Sequence, residues 1–230
     1  MSVIPASLRQ RIRSSIEAPV AGLFGRLGFS PNALTLVGFG IAIVGAFFAA
    51  RQSWLIAGLI VAFGAIFDLF DGALARATGK VSKFGAFLDS TFDRLGEAAV
   101  YIGIFWGLDV ARDIEGATSG GGILAITAMA ASLMVSYVRA RAEGLGFSPG
   151  TGMASIGFAP REVRMLLLVV GLVLTGLVGG VGTSYYPNDA ASIAMYGSLL
   201  LITILSTITT IQRILFTYNQ SRSPNQEVNH

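Results

Sequence analysis

Residues 54–76 read WLIAGLIVAFGAIFDLFDGALAR, an apolar run that ends in two aspartates and an arginine. The run has about the 20 residues that an α-helix needs to cross the hydrocarbon core of a bilayer. Its charged residues, Asp68, Asp71 and Arg76, all stand toward one end. The stretch therefore predicts a transmembrane helix that presents acidic side chains near one membrane surface.

Five further apolar segments flank this run, at residues 33–50, 84–108, 121–140, 163–182 and 190–213. Hydrophobic residues make up 53% of the 230 residues and charged residues only 13%, against about 25% charged residues in an average soluble domain. Such a composition excludes a disordered chain and argues against a soluble globular domain. We expect an all-α integral membrane protein with six transmembrane helices.

The two ends of the chain differ from this central part. Residues 1–30 place Leu8, Ile12 and Ile16 on one helical face among arginines, which predicts an amphipathic helix lying in the membrane interface. A solvated arm is the alternative. We expect residues 31–218 to form a single six-helix membrane domain and the polar residues 219–230 to form a mobile tail.

Lysine and arginine residues are distributed unevenly between the two sides of this topology. If the N-terminus is inside, the outer links hold only Arg51 and Arg112, and Arg94 lies within a span. Positive charge accumulates in cytoplasmic segments of membrane proteins. The pattern predicts a multi-pass protein of the cell membrane with both termini in the cytoplasm. The inner segments hold Arg9, Arg11, Arg13, Arg26, Arg76, Lys80, Lys83, Arg139, Arg141, Arg161, Arg164, Arg213 and Arg222.

Several kinds of site are excluded by composition. The chain has no cysteine, and its one histidine, His230, is the last residue. Thiolate and imidazole ligands are therefore unavailable within the membrane domain, and any metal must be held by oxygen, as Mg²⁺, Mn²⁺ and Ca²⁺ prefer. The net charge of only +3 gives no indication of a nucleic-acid partner.

Four aspartates stand at the ends of the second and third segments. Asp68 and Asp71 are three residues apart, and Asp89 and Asp93 are four apart, so each pair shares a helical face. We expect the two helices to be antiparallel neighbours whose four carboxylates converge at the cytoplasmic end. Unpaired carboxylates at membrane depth are costly, which favours a site for Mg²⁺, with two ions shared among the four. A solvated helix end, or ion pairing with Arg76 or Arg94 alone, are the alternatives.

Two further groups surround these acids. Small residues, Gly72, Ala75 and Gly85, allow either close approach of a ligand to the backbone or close packing of helices. A set of arginines on the same side predicts a phosphate-binding pocket, because guanidinium groups bind phosphate oxygens in pairs; ordinary positive-inside anchoring is the alternative. The arginines are Arg139, Arg141, Arg161, Arg164 and Arg213.

The pattern Asp68-x2-Asp71-Gly72-x2-Ala75-Arg76-x8-Gly85-x3-Asp89-x3-Asp93 resembles the signature of the CDP-alcohol phosphotransferases, integral membrane enzymes of phospholipid synthesis. The resemblance implies two divalent ions, Mg²⁺ or Mn²⁺, held by Asp68, Asp71 and Asp89. It implies that Asp93 contacts the second ion and acts as the general base. It also implies contacts of the CDP donor with Asp68, Gly72, Ala75, Arg76, Ser82 and Gly85.

The arginine-bearing stretches are similar to those of the phosphatidylinositol-phosphate synthases of this family. They are Ser136–Glu143, with Arg139 where that subgroup has lysine, and Pro160-Arg161-Glu162-Val163-Arg164. The resemblance implies transfer of a phosphatidyl group from CDP-diacylglycerol to inositol phosphate, with release of CMP. Glycerol 3-phosphate as the acceptor, or an archaeal-type CDP-lipid as the donor, are the alternatives.

Two further hypotheses concern a different activity and self-association. Intramembrane acids also line ion paths, so a divalent-cation transporter is a candidate from another class, although the acids gather at only one membrane end. Gly103-x3-Gly107 can support either helix pairing between chains or packing within one chain. The family resemblance implies a homodimer.

Overall fold

The computed structural model describes residues 22, 24–26, 28–110, 120–147, 156–179 and 190–222. The predicted amphipathic helix of residues 1–30 and the tail of residues 219–230 lie largely outside them. Within the described residues every long element is an α-helix, which confirms the all-α prediction. In chain order they are α1 (Pro31–Ala50), α2 (Trp54–Ala77), α3 (Lys83–Val110), α4 (Gly120–Gly144), α5 (Arg161–Gly179) and α6 (Ala190–Ser221).

Five of these helices are long and apolar enough to cross a membrane: all except α3. Helix α3 carries Asp89, Asp93, Arg94 and Glu97 among its first fifteen residues, and these charges lower its hydropathy. It still has 28 residues and is about 42 Å long. It packs along α1 and α4, and therefore lies in the same bundle as the apolar helices. The chain is a multi-pass integral membrane protein.

Local sequence signals set the start of the bundle. Ser30 caps α1 by accepting a hydrogen bond from the Ala33 N–H at 3.1 Å, and Pro31 occupies the first turn, where its missing N–H costs nothing. The turn between α1 and α2 places Gln52 at a φ of 59°. Its side-chain amide donates to the Gly107 carbonyl at 3.0 Å. This bond ties the α1–α2 turn to the far end of α3.

The helix contacts form a closed circuit. Helix α1 packs on α2 and α3, α2 packs on α5, α5 on α6, α6 on α4, and α4 on α3. The core inside this circuit is apolar and includes Trp54, Tyr101, Leu172 and Leu199, all almost fully buried. Large apolar side chains also cover the outer surface, and Phe47, for example, is 59% exposed. An apolar exterior of this kind suits contact with lipid rather than water.

Helices α2 and α3, expected to be antiparallel neighbours, are joined by a short link but do not pack along one another. Helix α1 lies against both instead. Its small residues allow this: a Cβ on Gly45 would stand 2.8 Å from Val61 of α2, and a Cβ on Gly103 of α3 would overlap the backbone of Ala46. The acid-bearing ends of α2 and α3 are thereby left facing a space rather than an interface.

The same packing accounts for the Gly103-x3-Gly107 pattern. Both glycines are buried, and a Cβ at either position would meet the α1 backbone, at Ala46 and Ala49 respectively. The pattern therefore serves packing within one chain. It gives no support for pairing between two chains.

Candidate active site

Acidic and basic side chains from three helices meet at the end of the bundle where α1 begins. Arg161, the first residue of α5, donates from one guanidinium nitrogen to Asp68 of α2 at 2.9 Å. Its other terminal nitrogen lies 2.7 Å from a carboxylate oxygen of Asp93 of α3. The acids of α2 and α3 are therefore joined through a cation supplied by α5. Neither Arg76 nor Arg94, the two partners considered from the sequence, forms this bridge.

Asp71 is the most buried of the four aspartates and has its own partners. Thr35 of α1 donates its hydroxyl to one Asp71 oxygen at 2.8 Å, and the Gly72 N–H donates to the other. Both bonds stabilise an ionised carboxylate. Thr35 carries no charge and lies in an apolar helix, which explains why the sequence did not single it out.

Gly38, one turn after Thr35 on α1, makes room for another of these acids. A Cβ at this position would stand 2.6 Å from the Asp68 carboxylate oxygen Oδ1. No ordinary Cβ contact is that short, so an alanine here would displace the carboxylate. Gly38 is a second site residue from α1 that the sequence pattern did not reveal.

A first cavity, of about 290 Å³, lies between the start of α1, the end of α2 and the start of α3. We call it the glycine cavity. It opens beside Asp71 and Asp89, and a Cβ on Gly72 would press on the Arg76 guanidinium at 3.3 Å. Asp68, also predicted to contact CDP, does not line it. The other five residues expected to contact CDP all do: Gly72, Ala75, Arg76, Ser82 and Gly85.

Ser82 has a structural role at this cavity as well. Its hydroxyl oxygen accepts a hydrogen bond from the Gly85 N–H at 3.0 Å. This is the pattern of an N-cap, which satisfies one of the unpaired donors in the first turn of a helix. The bond fixes the start of α3, and with it the position of Gly85 in the cavity wall.

A second cavity, of about 420 Å³, lies between α2, α3 and α5. We call it the arginine cavity. Its apolar wall includes Met165. Its polar wall is formed by Asp68, Asp89, Asp93, Arg161 and Glu162. Among the described residues, Asp89 is the one that lines both cavities. The two cavities therefore meet at a carboxylate.

The remaining predicted arginines are placed differently from Arg161. Arg139 is exposed and pairs with Glu143 on its own helix at 2.9 Å, and Arg141 is also exposed. Arg164 and Arg213 are almost fully buried. Arg213 donates to the backbone carbonyls of Ile156 and Val135 at 3.1 and 2.7 Å. The five arginines do not form one open pocket; only Arg161 lines the arginine cavity.

The donor set suits a hard divalent cation, because all four aspartates offer carboxylate oxygens and the surrounding wall is partly apolar. Among the described residues no three acidic side chains surround a common point as metal ligands do. The contacts above give the reason: Asp68 and Asp93 bind Arg161, and Asp71 binds Thr35. Arg161 supplies the positive charge that lies between Asp68 and Asp93.

Comparison with known proteins identifies the family of this chain. The family model for CDP-alcohol phosphatidyltransferases matches residues 29–218. The chain is 37% identical over 209 residues to the archaetidylinositol phosphate synthase of Pyrococcus horikoshii, covering 91% of this chain and 94% of that protein.

Two solved structures of the phosphatidylinositol phosphate synthase of Mycobacterium tuberculosis are also similar. One has CDP-DAG bound, with a TM-score of 0.73 and 27% identity, covering 94% of this chain and 98% of that one. The other is a complex with manganese and citrate, with a TM-score of 0.73 and 26% identity, covering 94% of this chain and 93% of that one. With the matched region extending from before α1 almost to the end of α6, this chain is a transferase of the CDP-alcohol phosphatidyltransferase family.

Proposed function

We propose that this chain transfers a phosphatidyl group from CDP-diacylglycerol to inositol phosphate, giving phosphatidylinositol phosphate and CMP. The observation that carries the proposal is Asp89, which borders both the glycine cavity and the arginine cavity. The first cavity is lined by five of the six residues expected to contact CDP. The second contains an arginine suited to a phosphorylated acceptor. The names of the relatives from P. horikoshii and M. tuberculosis both denote products that contain inositol phosphate.

On the donor side, we assign the glycine cavity to the cytidine diphosphate. Gly72, Ala75 and Gly85 leave its wall without bulky side chains, so that phosphate oxygens can approach the backbone. Arg76 supplies a positive charge at the same wall, and Ser82 supplies a hydroxyl. We also assign Asp68 as a donor contact. It lines the arginine cavity rather than the glycine cavity, and would therefore approach the donor from that side.

On the acceptor side, we assign the arginine cavity to the phosphorylated polyol. Arg161 lines this cavity, and the N–H groups that do not bind Asp68 or Asp93 would donate to the acceptor phosphate. Arg164 lies three residues further along the same helix. Arg213 of α6 donates to the backbone carbonyls of Ile156 and Val135. The exposed Arg139 and Arg141 would attract a phosphorylated substrate to this end of the protein.

The reaction breaks one phosphorus–oxygen bond and forms another. The acceptor hydroxyl oxygen attacks the phosphorus that carries the diacylglycerol group, and the bond from that phosphorus to CMP breaks. We assign Asp93 as the general base that takes the hydroxyl proton, because it lines the arginine cavity beside Arg161. A base must lie within hydrogen-bond reach of the proton that it removes.

We assign Asp68, Asp71, Asp89 and Asp93 as the residues that would hold two divalent ions, Mg²⁺ or Mn²⁺. Such ions, when bound, polarise phosphate oxygens and neutralise the charge that develops on the leaving phosphate. The manganese in the M. tuberculosis structure supports a divalent ion in this family. The burial of Asp71 and its bond to Thr35 keep that carboxylate oriented toward the glycine cavity.

An archaeal-type CDP-lipid is a second candidate for the donor. The relative from P. horikoshii is named for an archaetidyl product, and the inositol-phosphate half of the reaction would be the same. Parallel assays with the two donors distinguish them.

We further propose that the active site and both termini face the cytoplasm. With six crossings, the start of α1 and the end of α6 would lie on the same side as Arg76, Lys80 and Lys83, and this clustering of positive charge supports the orientation. Residues 31–218 would form the single catalytic domain. A homodimer stays a prediction, which light scattering in detergent would test.

The proposal is tested by CMP release from purified protein in detergent. The assay supplies CDP-diacylglycerol or its archaeal-type counterpart and a panel of acceptors: inositol phosphate, glycerol 3-phosphate, free inositol and serine. We expect metal-dependent release with inositol phosphate and little with the others. Preference for glycerol 3-phosphate would refute the acceptor assignment, and release of CMP with no acceptor preference would refute the role of the arginine cavity.

A further inference from the structure

One ion pair at this end of the bundle is almost completely buried. Glu97 of α3 and Arg164 of α5 have side chains that are 2% and 1% exposed. The Arg164 guanidinium donates to both Glu97 oxygens, from Nε at 3.2 Å and from Nη2 at 3.1 Å. This is the two-point geometry that holds a guanidinium in a fixed orientation.

The other Arg164 donors connect the pair to the rest of the bundle. Nη1 donates to the Ala159 carbonyl at 3.0 Å, and Nη2 lies 3.5 Å from the Ser136 hydroxyl of α4. The Ala159 N–H in turn donates to the Thr209 hydroxyl oxygen of α6 at 3.0 Å. Arg164 thereby links α3, α4 and α5 with the segment that leads into α5.

Each residue of this pair lies about one helical turn beyond a residue of the site. Glu97 lies one helical turn after Asp93, and Arg164 lies almost one turn after Arg161. Helices α3 and α5 do not pack side by side along their lengths. In the described part of the chain, the ion pairs that join them are Asp93–Arg161 and Glu97–Arg164. The Glu97–Arg164 pair is almost completely buried, whereas the Asp93–Arg161 pair borders the arginine cavity.

Stability alone does not account for a charged pair at this depth. Replacing a buried ion pair with apolar residues of similar volume is often neutral or stabilising, because both charges lose their hydration. What an apolar contact would not supply is a fixed angle between the two helices. We propose that Glu97 is a positioning residue of the acceptor side, which acts through Arg164 to fix the start of α5 and thus Arg161. This inference rests on the proposed function.

The test is a double-mutant cycle read through two KM values. Glu97→Gln places an amide N–H₂ where Arg164 needs an acceptor, so that one of the two bonds is lost. We expect the KM for inositol phosphate to rise about tenfold, the size of one charge-assisted hydrogen bond, while the KM for CDP-diacylglycerol changes less than twofold. Arg164→Gln should also raise the acceptor KM.

The informative variant is the double substitution. If Glu97 acts through Arg164, Glu97→Gln/Arg164→Gln has the acceptor KM of Arg164→Gln alone, because coupled residues are not additive. It should also melt at a higher temperature than Glu97→Gln, since no unpaired guanidinium stays buried. The double variant keeps the proposal testable if Glu97→Gln alone does not fold.

Tyr101→Phe is the matched control. Tyr101 lies one turn beyond Glu97 on α3, is fully buried, and shares a hydrogen bond with Ser132 at 3.2 Å. Its loss should lower the melting temperature and leave both KM values unchanged. The proposal is overturned if the effects of the single variants multiply in the double variant, or if Tyr101→Phe raises the acceptor KM as much as Glu97→Gln. Failure of the wild-type protein to use inositol phosphate would instead refute the proposed function.

Discussion

Arg161 and Asp68 are 93 residues apart in the chain, and the guanidinium of one donates to the carboxylate of the other across 2.9 Å. The contact joins the start of α5 to the end of α2, and a second contact of Arg161 adds Asp93 of α3. An arginine that was predicted from the sequence to bind an acceptor phosphate thus lies against two of the predicted metal ligands. The proposed acceptor site and the proposed metal site are therefore neighbours, and both can be probed at this residue.

Arg161→Gln should raise the KM for the acceptor more than the KM for the donor. The substitution removes a charged donor to the acceptor phosphate, worth roughly 1.5–3 kcal/mol, or about a ten- to hundredfold rise in the acceptor KM. The KM for CDP-diacylglycerol should change less than the acceptor KM, because Arg161 does not line the glycine cavity and reaches the donor side only through its bond to Asp68. Arg76→Gln is the matched variant on the donor side and should show the opposite pattern. If Arg161→Gln spared the acceptor KM and raised the donor KM, the assignment of the two cavities would be reversed.

Neutralising the acids should abolish turnover. Asp→Asn at Asp68, Asp71 or Asp89 removes one negative charge at nearly constant shape, and we expect losses of several orders of magnitude in CMP release. EDTA should have the same effect on the wild-type protein, and added Mg²⁺ or Mn²⁺ should reverse it. Near-full, EDTA-resistant activity in all three variants would exclude a metal site.

Gly38→Ala should weaken the site without changing any charge. The added Cβ would stand 2.6 Å from the Asp68 carboxylate, and a displacement of about 1 Å at a reacting centre costs up to roughly a hundredfold in rate. We expect a ten- to hundredfold loss of kcat and a weaker response to Mn²⁺. Gly40→Ala is the control on the same helix, since a Cβ there meets no atom within 4 Å. Equal losses in the two variants would mean that alanine merely disturbs α1.

Topology is tested by labelling single cysteines in intact cells. The chain has no native cysteine, so Ser53→Cys at the start of α2 and Ser221→Cys at the end of α6 can be compared without background. A membrane-impermeant maleimide should label the first from outside and reach the second only after the cells are opened. The reverse result would place the catalytic end outside, away from a cytoplasmic CDP-linked donor.

The helices could be predicted because each apolar run is long and is bounded by polar or capping residues such as Ser30 and Arg51. The four acids were predicted correctly to stand at one end of the bundle, since helical spacing fixes their phase. What the sequence did not reveal depends on contacts between distant segments. Thr35 and Gly38 carry no charge, and their roles follow only from the way α1 lies beside Asp68 and Asp71.

For a related reason, the sequence did not show that α1 would lie against both α2 and α3. A link of five residues, Thr78–Ser82, brings the helix ends near one another but does not decide which faces touch. The small residues of α1 let both α2 and α3 pack closely against it. Likewise, Arg164 was predicted to bind the acceptor phosphate, whereas in the structure it is buried against Glu97, a partner that the sequence did not reveal.

Asp89 stands in the wall between two cavities, and this placement has a consequence for the order of events in turnover. Both substrates can be bound at once, and CMP does not need to leave before the acceptor enters. Initial rates should therefore follow a sequential scheme, with intersecting rather than parallel double-reciprocal lines. A single displacement with the acceptor on one side of the phosphorus and CMP on the other inverts its configuration once. A chiral thiophosphate donor would record that inversion, and retention would require a covalent phosphatidyl-enzyme.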